Sequence, residues 1–267
     1  LGMPVSIHVA DPVAFWLPYN NKNERWTELK DHKNWWFGDP DIFPPHQELL
    51  AALERVIERH TETTFVCVHF ANNPEDLDWV ESQLDAHPNM MADLAARIPE
   101  IGRMDPIKVR QLFMKHQDRI LFATDFQVYD RLTLGSGGSG SAPTNKDAHS
   151  FFSKHWRWLE TNDRDFDHMT PIQGDWTING IGLPADVLRK IYFDNARQLL
   201  AGSLPHRTVT ARSMEQDFKL TGDLSHPAWY KAEPTYLEQD SKTGKVLPES
   251  STEIRALWTD QYLYVGF

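Results

Sequence analysis

The sequence predicts an α/β fold: a parallel sheet that fits half of a (β/α)8 barrel or a small open sheet, followed by the beginning of an all-β domain. Three observations predict it. Short apolar segments alternate with amphipathic ones over roughly the first two hundred residues, three of the apolar segments end in His or Asp, and the helical period is lost beyond Ala201.

Four apolar segments have the length and composition of strands that are covered on both faces. Most of them are continuous apolar runs. The third along the chain is the weakest, because it mixes asparagine and aspartate with its apolar residues. The predicted strands are Pro4–Val9, Thr64–Phe70, Asn89–Ala95 and Ile120–Asp125.

Amphipathic segments between and after these strands are predicted as helices. His46–His60 places its leucines and isoleucine on one stripe, with its glutamates largely outside that stripe. Pro74–His87 begins with a proline suited to a first turn, and Glu75 lies near the positive end of that helix. The remaining predicted helices are Pro106–His116 and Pro184–Ala201.

Two long connections interrupt the alternation. Asp11–Pro45 is rich in aromatic residues, among them Trp16 and Trp26, and this predicts either a wall or lid over a substrate or the local packing of an irregular segment. Leu134–Asn145 contains Gly-Ser-Gly-Gly-Ser-Gly but lacks the Lys-Ser/Thr ending of a phosphate loop, so it is predicted as a flexible connector.

The change of character after Ala201 predicts a domain boundary. We expect one domain over residues 1–203, a linker over 204–212 and the start of a β-sandwich over 213–267. Ile254–Trp258 and Tyr262–Phe267 are predicted as a hairpin. A module of that length with one hairpin buries little core, and the chain enters a strand almost at once, so we expect that the native protein extends beyond both ends.

Composition excludes some classes of function. The chain has 267 residues and a formal net charge of −11, which argues against a general nucleic-acid binder. Its single cysteine, Cys67, excludes an intrachain disulfide, and no apolar run approaches the roughly 18 residues that a membrane span needs. Localisation stays open: cytoplasmic, or exported if a signal precedes Leu1 in the native protein.

Potential metal ligands end three of the predicted strands: His8, His69 and Asp125. The carboxyl ends of parallel strands meet at one edge of a sheet, so these side chains are expected to converge on one cation. Imidazole and carboxylate suit Zn²⁺, and also Mn, Fe or Ni. Four other histidines fall at helix ends, where a solvated or capping role is expected: His46, His60, His87 and His116.

The predicted strands, together with the His and Asp residues that end them, resemble the amidohydrolase superfamily, in its amidohydrolase-2, decarboxylase-like branch. The likeness covers roughly residues 1–203, and Arg119-Ile-Leu-Phe-Ala-Thr-Asp125 is its most specific part. It implies strands five to eight of a (β/α)8 TIM barrel, closed by the Asn195-Ala-Arg helix. The first four strands of such a barrel, with their His-x-His pair, have no counterpart in the sequence, so we expect weak metal binding unless that half is supplied.

The resemblance implies roles for particular residues. His8 becomes the ligand of the fifth strand, His69 the ligand or orienting histidine of the sixth, and Asp125 the ligand and proton acceptor of the eighth. Members hydrolyse C–N, C–O or C–C bonds or remove CO2 from aromatic acids, so a small-molecule substrate is expected. Its expected contacts are Trp16, Trp26, Asn72 and Arg97. For the arginine, either a substrate carboxylate or a salt bridge at a helix start is expected.

The tail resembles the opening strands of carbohydrate-binding-like β-sandwich modules, in which Trp229 and Trp258 are either core residues or platforms for a sugar. An alternative hypothesis follows from it: a non-catalytic protein with a degenerate barrel that binds a glycan or an envelope partner. A second copy of this chain, in a homodimer, is a further expected partner.

Overall fold

The computed structural model describes residues 3–128, 131–135, 143–201, 208–238, 249 and 251–267. It divides into two compact units, Leu1–Ser203 and Leu204–Phe267. The glycine-serine run predicted as a connector falls largely outside the described residues, since 136–142 are not among them, and so do residues 204–207 of the predicted linker.

A four-stranded parallel sheet forms the base of the first unit, with its strands in chain order β1-β2-β3-β4. Backbone pairing aligns Val5 with Phe65, Phe65 with Met90 and Ala92 with Ile120. Each strand lies within a predicted segment but is shorter. The strands are β1 Val5–Ile7, β2 Phe65–Cys67, β3 Met90–Asp93 and β4 Ile120–Leu121.

Helices follow the strands of this sheet. Their bounds are α1 Trp26–Leu29, α2 His46–Arg59, α3 Val68–Ala71, α4 Leu77–Ala86, α5 Ile98–Gly102, α6 Pro106–Lys115, α7 Asn145–Glu160, α8 Ala185–Arg189 and α9 Asn195–Ala201. A π-helical turn, Lys190–Asp194, joins the last two.

Side-chain caps decide two helix starts that the apolar pattern did not. Helix α4 begins at Leu77 and not at Pro74, because the carboxylate of Asp76 accepts a hydrogen bond from the backbone N–H of Trp79. Helix α7 was not predicted. It begins with a capping box in which Thr144 and Asp147 satisfy each other's backbone N–H groups.

The two faces of the sheet are covered unequally. Cys67, Ala92 and Ile120 belong to the main apolar core with the helices, and β3, the weakest predicted strand, is buried at all four residues. On the opposite face, Leu121 belongs to a small cluster against which Leu199 of α9 packs. Strand β1 does not meet the expectation of burial on both faces, because it lies at the edge of the sheet and Val5 is 41% exposed.

Two short antiparallel hairpins complete the first unit. The first follows the end of β4 directly and pairs β5, Phe126–Val128, with β6, Leu132–Leu134. The second pairs β7, Phe166–Asp167, with β8, Thr177–Ile178. The β5–β6 hairpin matters for function, because it rises from the carboxyl end of the sheet.

The second unit is a four-stranded sheet. Its strands are β9 Ala211–Ser213, β10 Thr235–Leu237, β11 Thr252–Trp258 and β12 Leu263–Gly266. The predicted hairpin is confirmed, with Trp258 opposite Leu263, and β9 joins β11 in parallel. Trp229 is a core residue here, 2% exposed, whereas Trp258 is 44% exposed. Among the described residues, no helix has the length and apolar character to cross a membrane.

Candidate active site

The loops at the carboxyl ends of β2, β3 and β4 each pass through left-handed backbone. His69 has a φ of 55°, Ala96 of 54° and Asp125 of 57°. The left-handed run that starts at His69 continues to Asn72, so most of α3 is a left-handed turn and not a right-handed helix. Residues other than glycine pay an energetic cost in this region, and such residues concentrate at functional sites. These turns change the direction of the chain shortly after each strand ends. The side chains that follow the three strands face one shared space.

That space is a cavity of about 370 Å³. His8, His69 and Asp125 all line it, so the three strand-end residues predicted from sequence share one site. Ten further residues complete the lining: Asp11, Phe15, Glu28, Trp35, Arg97, Gln127, Arg131, Thr133, Gly135 and Gln173.

Hydrogen bonding fixes which nitrogen of His69 is available to a ligand. Its Nδ1 lies 2.8 Å from the carbonyl oxygen of Ala95. A carbonyl only accepts, so Nδ1 carries the hydrogen. Burial first and the charge of Arg97 second lower the pKa of His69 to about 4, so the ring is neutral near pH 7. Its lone pair is therefore on Nε2, the arrangement common to metal-binding histidines.

Asp93, at the end of β3, orients the segment that carries His69. Its Oδ1 accepts hydrogen bonds from the backbone N–H of His69 at 2.9 Å and from that of Ala95 at 3.1 Å. Burial raises the pKa of this carboxyl. The carboxylate of Asp93 thus links the ends of β2 and β3. It holds both His69 and Ala95, whose carbonyl oxygen contacts Nδ1 of the His69 ring.

Asp11 joins His8 to Arg97. Its Oδ1 lies 3.5 Å from His8 Nε2 and 3.6 Å from Arg97 Nη2. Burial acts to raise the pKa of Asp11, but the contacts with His8 and Arg97 outweigh it and lower that pKa. The same contact is the main reason why the pKa of His8 is raised. Sequence reasoning missed Asp11, although its place three residues after His8 on a strand-end loop was a usable signal.

The β5–β6 hairpin supplies groups that the sequence did not point to. Gln127 donates a hydrogen bond from Nε2 to Asp125 Oδ1 at 3.0 Å, and Arg131 and Thr133 line the cavity from the same hairpin. Gln173, 1% exposed, reaches the cavity from a distant segment and donates to the carbonyl oxygen of Ala96. No local motif marks these residues, because only the hairpin and the chain crossing bring them to the sheet edge.

The potential ligand atoms of His8, His69 and Asp125 face one cavity but do not form a tight cluster. Among the described residues, sets of three potential ligand atoms that all lie within 4.8 Å of one another occur at Glu54, Glu58 and His87 and at Glu81, Asp85 and His116, and not at His8, His69 and Asp125. Two imidazoles and a carboxylate nevertheless fit a divalent ion by type, and His69 offers a free lone pair. The chain therefore presents a partial donor set.

The aromatic loop between β1 and α2 lines cavities with some of its rings and packs others locally. Phe15 and Trp35 stack with ring centroids 6.4 Å apart and line the main cavity. Trp16 lines a second cavity of about 200 Å³, which shares His8 and Asp11 with the first. Trp26 instead packs edge-on against a neighbouring tyrosine and lines neither cavity.

Asn72 and Arg97, both expected to contact a substrate, have different positions. Asn72 is fully buried, and its Oδ1 accepts hydrogen bonds from the backbone N–H groups of Val9 at 2.9 Å and Ala10 at 3.3 Å. It positions the chain after β1. Arg97 lines the cavity, 6% exposed, and its Nε has no hydrogen-bond partner among the described residues.

Comparison with known proteins decides the family. A family model described as amidohydrolase, in the amidohydrolase-2 branch, matches residues 1–201. The chain belongs to the amidohydrolase family. No curated protein and no solved structure gave a match. Amidohydrolases of this branch have a TIM-barrel type of α/β fold, are generally hydrolases or decarboxylases, and usually use a divalent metal.

Other histidines depart from the expectation for helix ends. His46, His87 and His116 are 5%, 7% and 4% exposed, so they are buried, whereas His60 is exposed as expected. His46 packs against Trp16 of the aromatic loop, and His116 lies near Asp85 of α4, contacts that the sequence of a single helix does not reveal. Strand-end position therefore separates the cavity-lining histidines from these four better than burial does.

Proposed function

We propose that this amidohydrolase is a metal-dependent hydrolase in which His8, His69 and Asp125 hold a divalent ion, with Zn²⁺ the first choice and Mn, Fe or Ni as alternatives. The observation that carries the proposal is that all three side chains line one cavity at the carboxyl edge of the sheet. The tautomer of His69, with its lone pair on Nε2, supports the same role.

Each residue has a role in the proposed reaction. When bound, the ion lowers the pKa of a water molecule and supplies hydroxide near neutral pH. Asp125 accepts a proton and returns it to the leaving group, and Gln127 holds that carboxylate in place. His69 binds or orients, and the Ala95 carbonyl keeps its ring in one orientation. The aromatic loop excludes bulk water from the cavity.

We further propose that the substrate carries a carboxylate. Arg97 and Arg131 both line the cavity, so two guanidinium groups bring positive charge to it. A carboxylate accepts two parallel hydrogen bonds from such a group. This favours decarboxylation of an aromatic or unsaturated acid as the second candidate reaction, beside hydrolysis.

Membership of the family also suggests an architecture for the two units of the chain. We infer that β1–β4 correspond to strands five to eight of the barrel, and that the second unit opens a β-sandwich. The parallel order of the four strands and the confirmed β11–β12 hairpin support these two assignments.

The test measures bound metal and turnover together. The purified full-length native protein is loaded with Zn²⁺ or Mn²⁺ and assayed for CO2 release from aromatic acids and for hydrolysis of amides and esters. We expect His8→Ala and Asp125→Ala to lose the metal and at least about 100-fold in kcat/KM. His60→Ala removes an exposed imidazole and should change neither. Full metal content and activity in both site variants would refute the proposal.

A further inference from the structure

Two sets of carboxylates and a histidine repeat on the outer helices. In the first, Glu54 and Glu58 lie one turn apart on α2, and His87 is the residue that ends α4. Their potential ligand atoms lie within 4.8 Å of one another. This set, which we call the α2–α4 set, lines neither the main cavity nor the second one.

The second set has the same construction one helix further along the chain. Glu81 and Asp85 lie one turn apart on α4, and His116 ends α6. Here the chain neutralises the carboxylates itself. Lys115 Nζ donates to Glu81 Oε1 at 2.8 Å and to Asp85 Oδ2 at 2.7 Å. The carboxylates of the α4–α6 set are therefore neutralised by an ammonium group of the chain. His116 Nε2 also lacks a hydrogen-bond partner among the described residues, but it lies 3.5 Å from Asp85 Oδ1.

The α2–α4 set lacks that ammonium group. Ala86 stands before His87 where Lys115 stands before His116. Among the described residues, neither Glu54 nor Glu58 has an ion pair, and Glu54 has only a 3.4 Å hydrogen bond from a glutamine amide. Two negative charges thus lie close together without a positive one.

A buried histidine nitrogen indicates what the α2–α4 set binds. His87 is 7% exposed, and its Nε2 is buried without a hydrogen-bond partner among the described residues. Buried polar atoms are nearly always satisfied in folded proteins. An unpartnered imidazole nitrogen beside two uncompensated carboxylates has the donor chemistry and the charge that a divalent cation requires.

We propose that Glu54, Glu58 and His87 bind a divalent cation, with Zn²⁺ the best match, at a site separate from the cavity. One imidazole and two carboxylates suit Zn²⁺, whereas Mg²⁺ and Ca²⁺ favour oxygen ligands alone. Ligands about 2 Å from zinc lie at most about 4 Å apart, so ligand atoms that all lie within 4.8 Å of one another need at most small side-chain rotations to bind one ion. Water completes the coordination. The ion joins α2 to α4 and stabilises the fold without a part in turnover.

The test uses the whole chain in a His8→Ala background, which removes the proposed metal of the cavity. Equilibrium titration with Zn²⁺ alone and the thermal unfolding midpoint are measured for that variant and for its combination with Glu58→Gln. Glu58 is exposed, so its amide analogue should fold. We expect Zn²⁺ to raise the midpoint of the first protein, and Glu58→Gln to weaken binding by about tenfold or more and abolish the rise.

Glu81→Gln in the same background is the matched control, because it alters the set that Lys115 already closes. It should bind Zn²⁺ as tightly as the His8→Ala protein. Equal binding with and without Glu58→Gln, or no rise of the midpoint with Zn²⁺, would overturn the proposal. Neither result would bear on the cavity, since His8 is absent from every protein compared.

Discussion

The imidazole rings of His8 and His69 meet edge to face, with their centroids 4.9 Å apart and their planes at 75°. They belong to segments that follow adjacent parallel strands, β1 and β2. Two such rings at the mouth of one cavity are the geometric basis for placing a metal ion at this edge of the sheet. What holds the rings in place, what surrounds them and what they bind can each be tested separately.

Asn72→Ala should detach the segment that carries His8. The amide oxygen of Asn72 accepts from two backbone N–H groups just after β1, and the variant leaves the buried donor of Ala10 and the partly buried donor of Val9 without a partner. We expect the free energy of unfolding to fall by about 2 kcal/mol. Chemical denaturation measures it. Asn34→Ala, at an exposed asparagine, should stay near wild type, and an equally small effect at Asn72 would contradict the assignment.

A buried ion pair anchors the aromatic loop to α5. Arg25, 1% exposed, pairs with Glu100, 0% exposed, and also with Glu28 at 3.1 Å. Glu100→Ala should cost about 3–5 kcal/mol of stability, because it leaves a buried guanidinium short of its partner.

The exposed pair of Glu24 and Arg103 provides the comparison for that loss. Its side chains are 36% and 29% exposed. Glu24→Ala should therefore cost less than about 1 kcal/mol. Urea unfolding of both variants measures the contrast. Similar costs for Glu24→Ala and Glu100→Ala would show that the buried pair does not anchor the loop.

His155 makes stability depend on pH. Burial lowers its pKa to about 4 from the ordinary value of 6.5. The unfolded chain therefore binds more protons than the folded one between those pH values, and stability falls as the pH drops from about 6.5 to 4. Wild type should lose about 2 kcal/mol more than His155→Leu between pH 7 and pH 4.5. Denaturation at both pH values measures it, and identical losses would contradict it.

Sequence predicted the sheet better than it predicted the details around it. The apolar runs that contain Phe65 and Ile120 marked buried strands, and the polar residue that ends each run marked the edge at which the cavity lies. Periodicity says nothing about caps, so the start of α4 at Leu77 and the whole of α7 needed the side-chain contacts of Asp76 and Thr144.

The candidate site shows the same division. His8, His69 and Asp125 were predicted because strand-end position is a local property of the sequence. Gln127 and Gln173 were not, because a hairpin and a distant crossing bring them to the cavity. The structural role of Asn72 was also beyond reach, since an asparagine after a strand looks alike whether it faces a ligand or holds a neighbouring loop.

Arg97 should select for negative charge. This residue lines the cavity beside a second arginine, Arg131. Arg97→Leu should weaken binding of benzoate by about tenfold or more while leaving benzamide, a neutral analogue of similar shape, little changed. Arg97→Lys should bind benzoate more tightly than Arg97→Leu does but less tightly than wild type does, since an ammonium group does not make the paired hydrogen bonds of a guanidinium. Calorimetric titration measures these affinities, and a loss of equal size for both ligands would exclude charge recognition.

Anomalous diffraction from crystals of the full-length native protein soaked in Zn²⁺ would locate the metal without relying on any activity assay. We expect a zinc peak in the main cavity, with a nitrogen of His8, a nitrogen of His69 and an oxygen of Asp125 at about 2.0–2.2 Å from it. Crystals that hold zinc elsewhere but show no peak among these three side chains would contradict the proposed metal site.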